Sequence, residues 1–354
     1  MEASAFSSED GWLIPRRVPF VIAEIGVNHN GSLDLALSAI DAAAAAGADA
    51  VKFQAFRADE EVADRTLTYS YTDGGKEISE NLHAMFKRLE LPGDWHRKLK
   101  MHAESRGLLY FSSVADRESA RVMASIGVSP FKIGSTDLTY YPFLEFIGSL
   151  AAPVILSTGM ADETEIDLAI SALRQGGCPG ILLLHCVSLY PAEDATINLR
   201  RMQALSERYG CKVGFSDHSL GTAACIAATA LGAVALEKHF TPDRALPGPD
   251  HGLSSDPAEM AELTKSVRRV AQQLGIGAIR PTAAEDRSRI EFRRSIVAAK
   301  AIPAGTRLTA DMLAYKRPAS GLSPDRRSEL LGRRTARPIA GDEQISMDAL
   351  TDDR

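Results

Sequence analysis

LGAVALEKH, from Leu231 to His239, is the stretch that decides the fold: a glycine, a short apolar run, then three ionisable residues in a row. The same order recurs in AGADAVK (46–52) and IGVSPFK (126–132), each with an early glycine (Gly47, Gly127, Gly232) and a lysine at or near its end (Lys52, Lys132, Lys238). A glycine takes the left-handed backbone that ends a helix, and an apolar run of four to six residues behind it reads as a buried strand. Each stretch is therefore a helix-to-strand junction. Working outward, eight strand-like runs follow one another: FVIAEI (20–25), AVKFQ (50–54), LLYFSS (108–113), FKIGS (131–135), PVILST (153–158), ILLLHC (181–186), KVGFSD (212–217) and VALEKH (234–239). Helix-like segments such as SLDLALSAIDAAAAAG and SLGTAACIAATALG lie between them. Apolar strands alternating with helices form a parallel sheet buried on both faces. Eight units in about 250 residues predict a closed (β/α)8 TIM barrel, with an open doubly wound sheet as the arrangement periodicity alone leaves open.

Composition is that of a folded soluble protein: 354 residues, 45% hydrophobic and 24% charged. Cys178, Cys186, Cys211 and Cys225 form no CxxC pair, which suits a reducing compartment. The start, MEASAFSSEDGW, has no basic and apolar leader pattern, so a cytoplasmic location is expected. The longest apolar stretch, 222–236, is broken by Gly232, so no membrane span is expected. Charge is uneven, with 28 Lys plus Arg against 37 Asp plus Glu in the first 290 residues and 12 against 9 in residues 291–354. No basic stretch is interleaved with aromatics, so nucleic acid is not an expected partner.

Barrel active sites sit at the C-terminal rim of the strands. Polar residues gather there: Glu24, Gln54, Ser112, Ser113, Ser135, Asp137, Ser157, Thr158, His185, Ser188, Ser216, Asp217, His218 and His239. Lysines with Ser and Thr hydroxyls are what a phosphate requires, positive charge plus donors. Three rim lysines together point to an anionic substrate, although a single one reads as a salt bridge. His218 and His239 end adjacent strands about 4.8 Å apart, close enough to share one metal with open positions left for water and substrate. Two unrelated rim histidines fit that spacing equally well.

The motifs AEIGVNHNGSLDLA (23–36), AVKFQ (50–54), FKIGSTDL (131–138), PVILSTGMA (153–161), LLHCVSLYP (183–191), GFSDHSLG (214–221) and EKHFTPDRALPGPDH (237–251) resemble the sialic acid synthase family over nearly the whole chain. RRSIVAAKAIPAGTRLTADMLAYKRPASGLSP (293–324) is similar to the antifreeze-like (SAF) domain that closes that family's chains. The resemblance implies condensation of phosphoenolpyruvate with an open-chain N-acylated amino sugar aldehyde such as N-acetylmannosamine, giving a nine-carbon 2-keto-3-deoxy acid and phosphate. It implies a divalent metal, Mn2+ before Mg2+ or Co2+, held by His218 and His239. Lys52, Ser113, Lys132, Ser135, Ser157, Ser188 and Ser216 match positions that hold phosphoenolpyruvate. Glu24 matches a catalytic carboxylate. Gln54, Asp137, Tyr190 and Asp250 match positions around the sugar or the metal water. Arg317 matches an arginine offered by one subunit's SAF domain to its partner's site, so a domain-swapped homodimer is implied.

The expected organisation is a barrel over 1–278, a polar linker over 279–292 and a small, mainly β SAF domain over 293–354. The family pattern is departed from at SSVADRES (112–119), where a Ser-Thr-Pro run is usual, at Asp137 in place of Glu, and at Ser188 in place of the Asn of bacterial N-acetylneuraminate synthases. The long second loop, 56–92, is expected to shape the sugar pocket. Three other readings stand beside this one: a related phosphoenolpyruvate-dependent 3-deoxy-ulosonic acid phosphate synthase, a Schiff-base aldolase using Lys132 or Lys238, and a sugar-binding module with an inert barrel.

Overall fold

The computed structural model of the chain describes residues 18–351. The N-terminal stretch behind the leader expectation lies outside them. The chain divides into two compact units, the first ending at Gly275 and the second beginning at Ile276.

The first unit is the barrel. Strands β1 (Phe20–Gly26) and β2 (Ala50–Ala55) are followed by a hairpin, β3 (Thr68–Asp73) and β4 (Lys76–Asn81), and then by β5 (Leu109–Val114), β6 (Phe131–Ile133), β7 (Val154–Ser157), β8 (Ile181–Cys186), β9 (Val213–Asp217) and β10 (Ala235–His239). All but the hairpin close in the order β1-β10-β9-β8-β7-β6-β5-β2, every pair parallel. The strands are short and buried on both faces, as their apolar runs require. Ser32 caps the helix Leu33–Ala45, and a reciprocal Asp162–Glu165 box starts Glu163–Gly176. The repeated junction glycines 47, 127 and 232 all have positive φ, so each of the three glycine-to-lysine stretches opens on a helix stop.

The second loop differs from a plain loop. Thr68–Asp73 and Lys76–Asn81 pair antiparallel around Gly74–Gly75, a polar hairpin whose alternation and Gly-Gly turn were visible in TYSYTDGGKEIS. It rests on a small apolar cluster of Val27, Phe56, Met85 and Leu89 through Tyr71.

The second unit carries the antiparallel pair β11 (Ser295–Ala298) and β12 (Leu313–Lys316) and several isolated bridges. Its core is Ile296, Leu308, Leu330, Ile339 and Ile345. Within the stretch read as a linker, Glu285–Phe292 is a helix with no buried residue. Polar all round, it gives no apolar periodicity, and pairs such as Arg287–Glu291 at 2.6 Å support it instead. Among the described residues, no helix is long and apolar enough to cross a membrane.

Candidate active site

Four ionisable side chains meet inside the barrel just below the C-terminal rim. Lys52 on β2 lies 2.9 Å from Glu24 on β1 and 3.8 Å from Glu237 on β10. Gln54 donates to the same Glu24 oxygen at 3.2 Å. Lys132 on β6 donates to Ser157 on β7 and to the carbonyl of Ile133, both at 2.8 Å. All four charged groups are buried. Burial pushes Glu24 up to about 7, with Lys52 pulling the other way. Glu237 is also raised by burial, but Lys52 and Lys132 outweigh that and hold it below its usual value. Two lysines against two carboxylates balance. Burial lowers the Lys132 pKa, with Glu237 opposing, and because Glu24 titrates near 7 it exchanges a proton readily at neutral pH, the chamber turning positive whenever it holds one.

Beside the lysines is a set of hydroxyls. The backbone N–H of Gly159 donates to Ser135 Oγ at 3.0 Å, and Ser135 lies 3.2 Å from Cys186 Sγ. A Cβ on Gly159 would stand 2.3 Å from Ser188 Oγ and 2.8 Å from both Cys186 Sγ and Ser135 Oγ. Only glycine lets these groups converge there. Ser216 donates to Glu237 at 3.0 Å. Ser113 faces Lys132 and Gln54 in the strand register. Positive nitrogens with several hydroxyl and amide donors in a dry space suit a phosphate or carboxylate.

His218 and His239 cross the rim with ring centroids 5.4 Å apart, and Tyr190 covers them at 4.2 and 5.8 Å. Nδ1 of His218 is 2.7 Å from the carbonyl of Val187, which fixes the tautomer and leaves Nε2 as the free lone pair. Nδ1 of His239 lies 3.5 Å from Asp250 Oδ2, within ion-pair reach yet without a hydrogen bond. Burial, first of all, lowers both imidazole pKa values, so both rings are neutral near pH 7. Two neutral nitrogens with a nearby carboxylate fit a divalent ion with open positions. Among the described residues, no group of three or more His, Cys, Asp or Glu side chains is arranged to hold a metal ion, so the two histidines are the only protein ligands this arrangement would offer.

The NeuB family profile matches residues 39–278 and the SAF domain profile residues 293–351. The chain belongs to the NeuB family. It is 39% identical over 319 residues to the N,N'-diacetyllegionaminic acid synthase of Legionella pneumophila, covering 89% of this chain and 90% of the relative. To the N-acetylneuraminate-9-phosphate synthase of Homo sapiens it is 33% identical, covering 96% and 95%. Among solved structures, it is similar to the N-acetylneuraminic acid synthetase of Leptospira borgpetersenii in complex with citrate, with TM-score 0.69 and 35% identity over 77% of this chain and 90% of that one. The spore coat polysaccharide biosynthesis protein SpsE of Bacillus subtilis matches with TM-score 0.66 and 32% identity over 99% of each chain. The curated relatives include synthases of legionaminic, pseudaminic and sialic-type acids, and this chain is an enzyme of the same family.

Strand alternation corrects the picture of one converging rim in this NeuB protein. Lys238 is not at the site. It points to the helix side of β10, 2.8 Å from Asp217 Oδ2, both side chains almost fully buried. His185 also turns outward, 2.6 Å from the carbonyl of Ile197. Thr158 donates to the carbonyl of Leu184, and Ser112 to that of Ser113. Consecutive residues on a strand face opposite ways, so only every second polar residue enters the barrel. The same rule names the residue sequence reasoning passed over: Glu237, two before His239, shares its face. Gly159, in the quoted STGM run, was also passed over.

Around the rim, Asp250 is pushed up to about 6 by burial, with Lys52 opposing. Asp137 sits in a single 3-10 turn, Ser135–Asp137, likewise raised to about 6 by burial against its Thr136 bond and Lys132. Tyr69 on β3 stacks on Tyr71, whose hydroxyl donates to Glu80, itself clamped by Arg88. The hairpin backbone at Thr72 approaches Gly252, two residues from Asp250. Arg317 belongs to the second unit, where its Nε donates to the carbonyl of Phe292 at 2.9 Å and its guanidinium lies over the Phe292 ring.

Proposed function

We propose that this protein joins phosphoenolpyruvate to the aldehyde of an open-chain N-acylated amino sugar, forming a nonulosonic acid and releasing phosphate. The observation that carries the reading is the buried Lys52–Glu24–Glu237–Lys132 cluster lying directly beside the hydroxyl cradle and below two neutral histidines. Lys132, Ser135, Ser157, Ser188 and the Gly159 amide hold the phosphate and carboxylate. Lys52 and Ser216 hold the enol end, and Ser113 and Gln54 line the same wall. Fixing both reactants in a dry chamber removes most of the orientational cost of a two-substrate reaction.

The new bond joins C3 of phosphoenolpyruvate to the aldehyde carbon, whose oxygen becomes a hydroxyl. Water adds at C2, the C–O bond to phosphate breaks, and the 2-keto group remains. Glu24, with a pKa near neutrality, is placed to take the proton from that water while its charge offsets the positive character at C2. His218 and His239 would hold a divalent ion, Mn2+ foremost, which supplies Lewis-acid polarisation of the aldehyde oxygen. Asp250, Asp137 and Tyr190 orient the sugar, with Tyr69 as an outer wall. Arg317, from the partner's SAF domain in a swapped dimer, completes the N-acyl end, and the enzyme works in the cytoplasm.

The test is phosphate release from phosphoenolpyruvate by chelator-stripped protein, with and without Mn2+, across N-acetylmannosamine, its 6-phosphate and 2,4-diacetamido-trideoxy hexoses. Metal-dependent release with one sugar supports the reading and names the acceptor. Metal-independent turnover with a protein–substrate adduct trapped by borohydride on Lys132 would replace it with a Schiff-base aldolase; Lys238, locked to Asp217, is not a candidate for that role.

A further inference from the structure

On the helix side of β9 and β10, behind the two histidines, lies a second polar assembly that the proposed chemistry does not use. Asp217 and Lys238 face each other in the last rung of the β9–β10 ladder, with Oδ2 and Nζ 2.8 Å apart. The Lys238 ammonium also donates to the carbonyl of Ser219 at 2.7 Å. Oδ1 of Asp217 accepts the Ser219 backbone N–H at 2.9 Å and its hydroxyl at 2.7 Å. Oδ2 also accepts from Cys225 Sγ, 3.3 Å away on the helix Ala223–Ala230. The aspartate thus has four donors, and the lysine ties the strand to the turn that follows it.

His218 lies between the two residues so tied, 217 and 219, and His239 follows the lysine. The backbone on both sides of one imidazole is fastened to the residue that precedes the other. On the opposite side of the ring, His218 is held by Val187, and its own carbonyl takes the N–H of Ala192. We propose that Asp217 and Lys238 are positioning residues: a buried clasp that sets the separation of the His218 and His239 rings and so the affinity of the ion they share. This rests on the metal reading above.

The experiment is calorimetric titration of the full-length, metal-stripped protein with Mn2+ alone, alongside phosphoenolpyruvate binding and thermal unfolding. The double variant Asp217→Leu/Lys238→Met removes both charges at once, which buried pairs tolerate far better than loss of one partner. It is expected to stay folded and bind phosphoenolpyruvate as wild type does, while Mn2+ affinity falls about 10–100-fold, the usual effect of losing groups that orient metal-bound histidines. Ser219→Ala, which takes one donor from Asp217 and strands no charge, is expected to lose about tenfold and serves if the double variant does not fold. A folded variant with Mn2+ affinity within about threefold of wild type overturns the clasp. Wild type that takes up no Mn2+, or a His218→Ala variant that binds it unchanged, overturns the metal reading instead, and the inference with it.

Discussion

The two faces of β9 and β10 carry similar chemistry and opposite fates. On the helix side, an aspartate and a lysine 2.8 Å apart are enclosed by Ser219 and Cys225. On the barrel side, Glu237, its neighbour Glu24 and His239 each keep a buried polar atom with no hydrogen-bond partner among the described residues. A buried polar group is ordinarily satisfied. The helix-side pair is satisfied by the fold alone, whereas the barrel-side atoms are ones that the proposed substrates and ion would partner.

That contrast is broken most severely by Lys238→Met alone, which strands Asp217 in a dry site; stability should fall by about 3–5 kcal/mol, read from denaturant unfolding. An unchanged midpoint would mean the pair is solvated. His239→Ala is the barrel-side counterpart: phosphate release should drop about a thousandfold, as loss of several kcal/mol of electrophilic assistance implies, with the unfolding midpoint little altered. Loss of both together would erase the distinction between the faces.

Glu24 gives a pH signature. Its folded pKa, about 7, lies above the usual glutamate value of 4.5, so its contribution to stability is fully present below pH 4.5 and is lost as pH rises towards 7. Glu24→Gln should therefore gain in melting temperature relative to wild type between pH 5 and pH 8. A flat difference across that range would show a carboxylate ionised throughout. The smallest effect expected is at the hairpin, where Tyr69→Ala should raise the acceptor KM about fivefold, from an aromatic contact of ~1 kcal/mol, and leave the phosphoenolpyruvate KM alone. Equal changes in both would remove Tyr69 from the sugar side.

Much of this was legible in the chain. Eight buried strands announce themselves because both faces are apolar, and Lys52, Lys132 and the two histidines stand where those runs end. The misreadings share one cause. In SDHS and EKH, consecutive polar residues look like a single cluster, yet the pleat sends Ser216 and His218 one way and Asp217 the other, and Glu237 and His239 one way and Lys238 the other. Strand direction was readable, but which parity faces inward depends on the closed register. The helix Glu285–Phe292 escaped because it buries nothing, so no apolar stripe reports it.

The β3–β4 ladder is complete in itself, from Thr68 paired with Asn81 to Asp73 paired with Lys76. Because its hydrogen bonds close within the fourteen residues 68–81 and a Cβ added at Gly74 or Gly75 would meet nothing within 4 Å, residues added two at a time on either side of that tip extend the arm without moving one rung of the barrel. Under the proposed function, the hairpin's length is therefore a variable separate from the barrel chemistry, able to change with the acceptor while the chamber below keeps its residues in place.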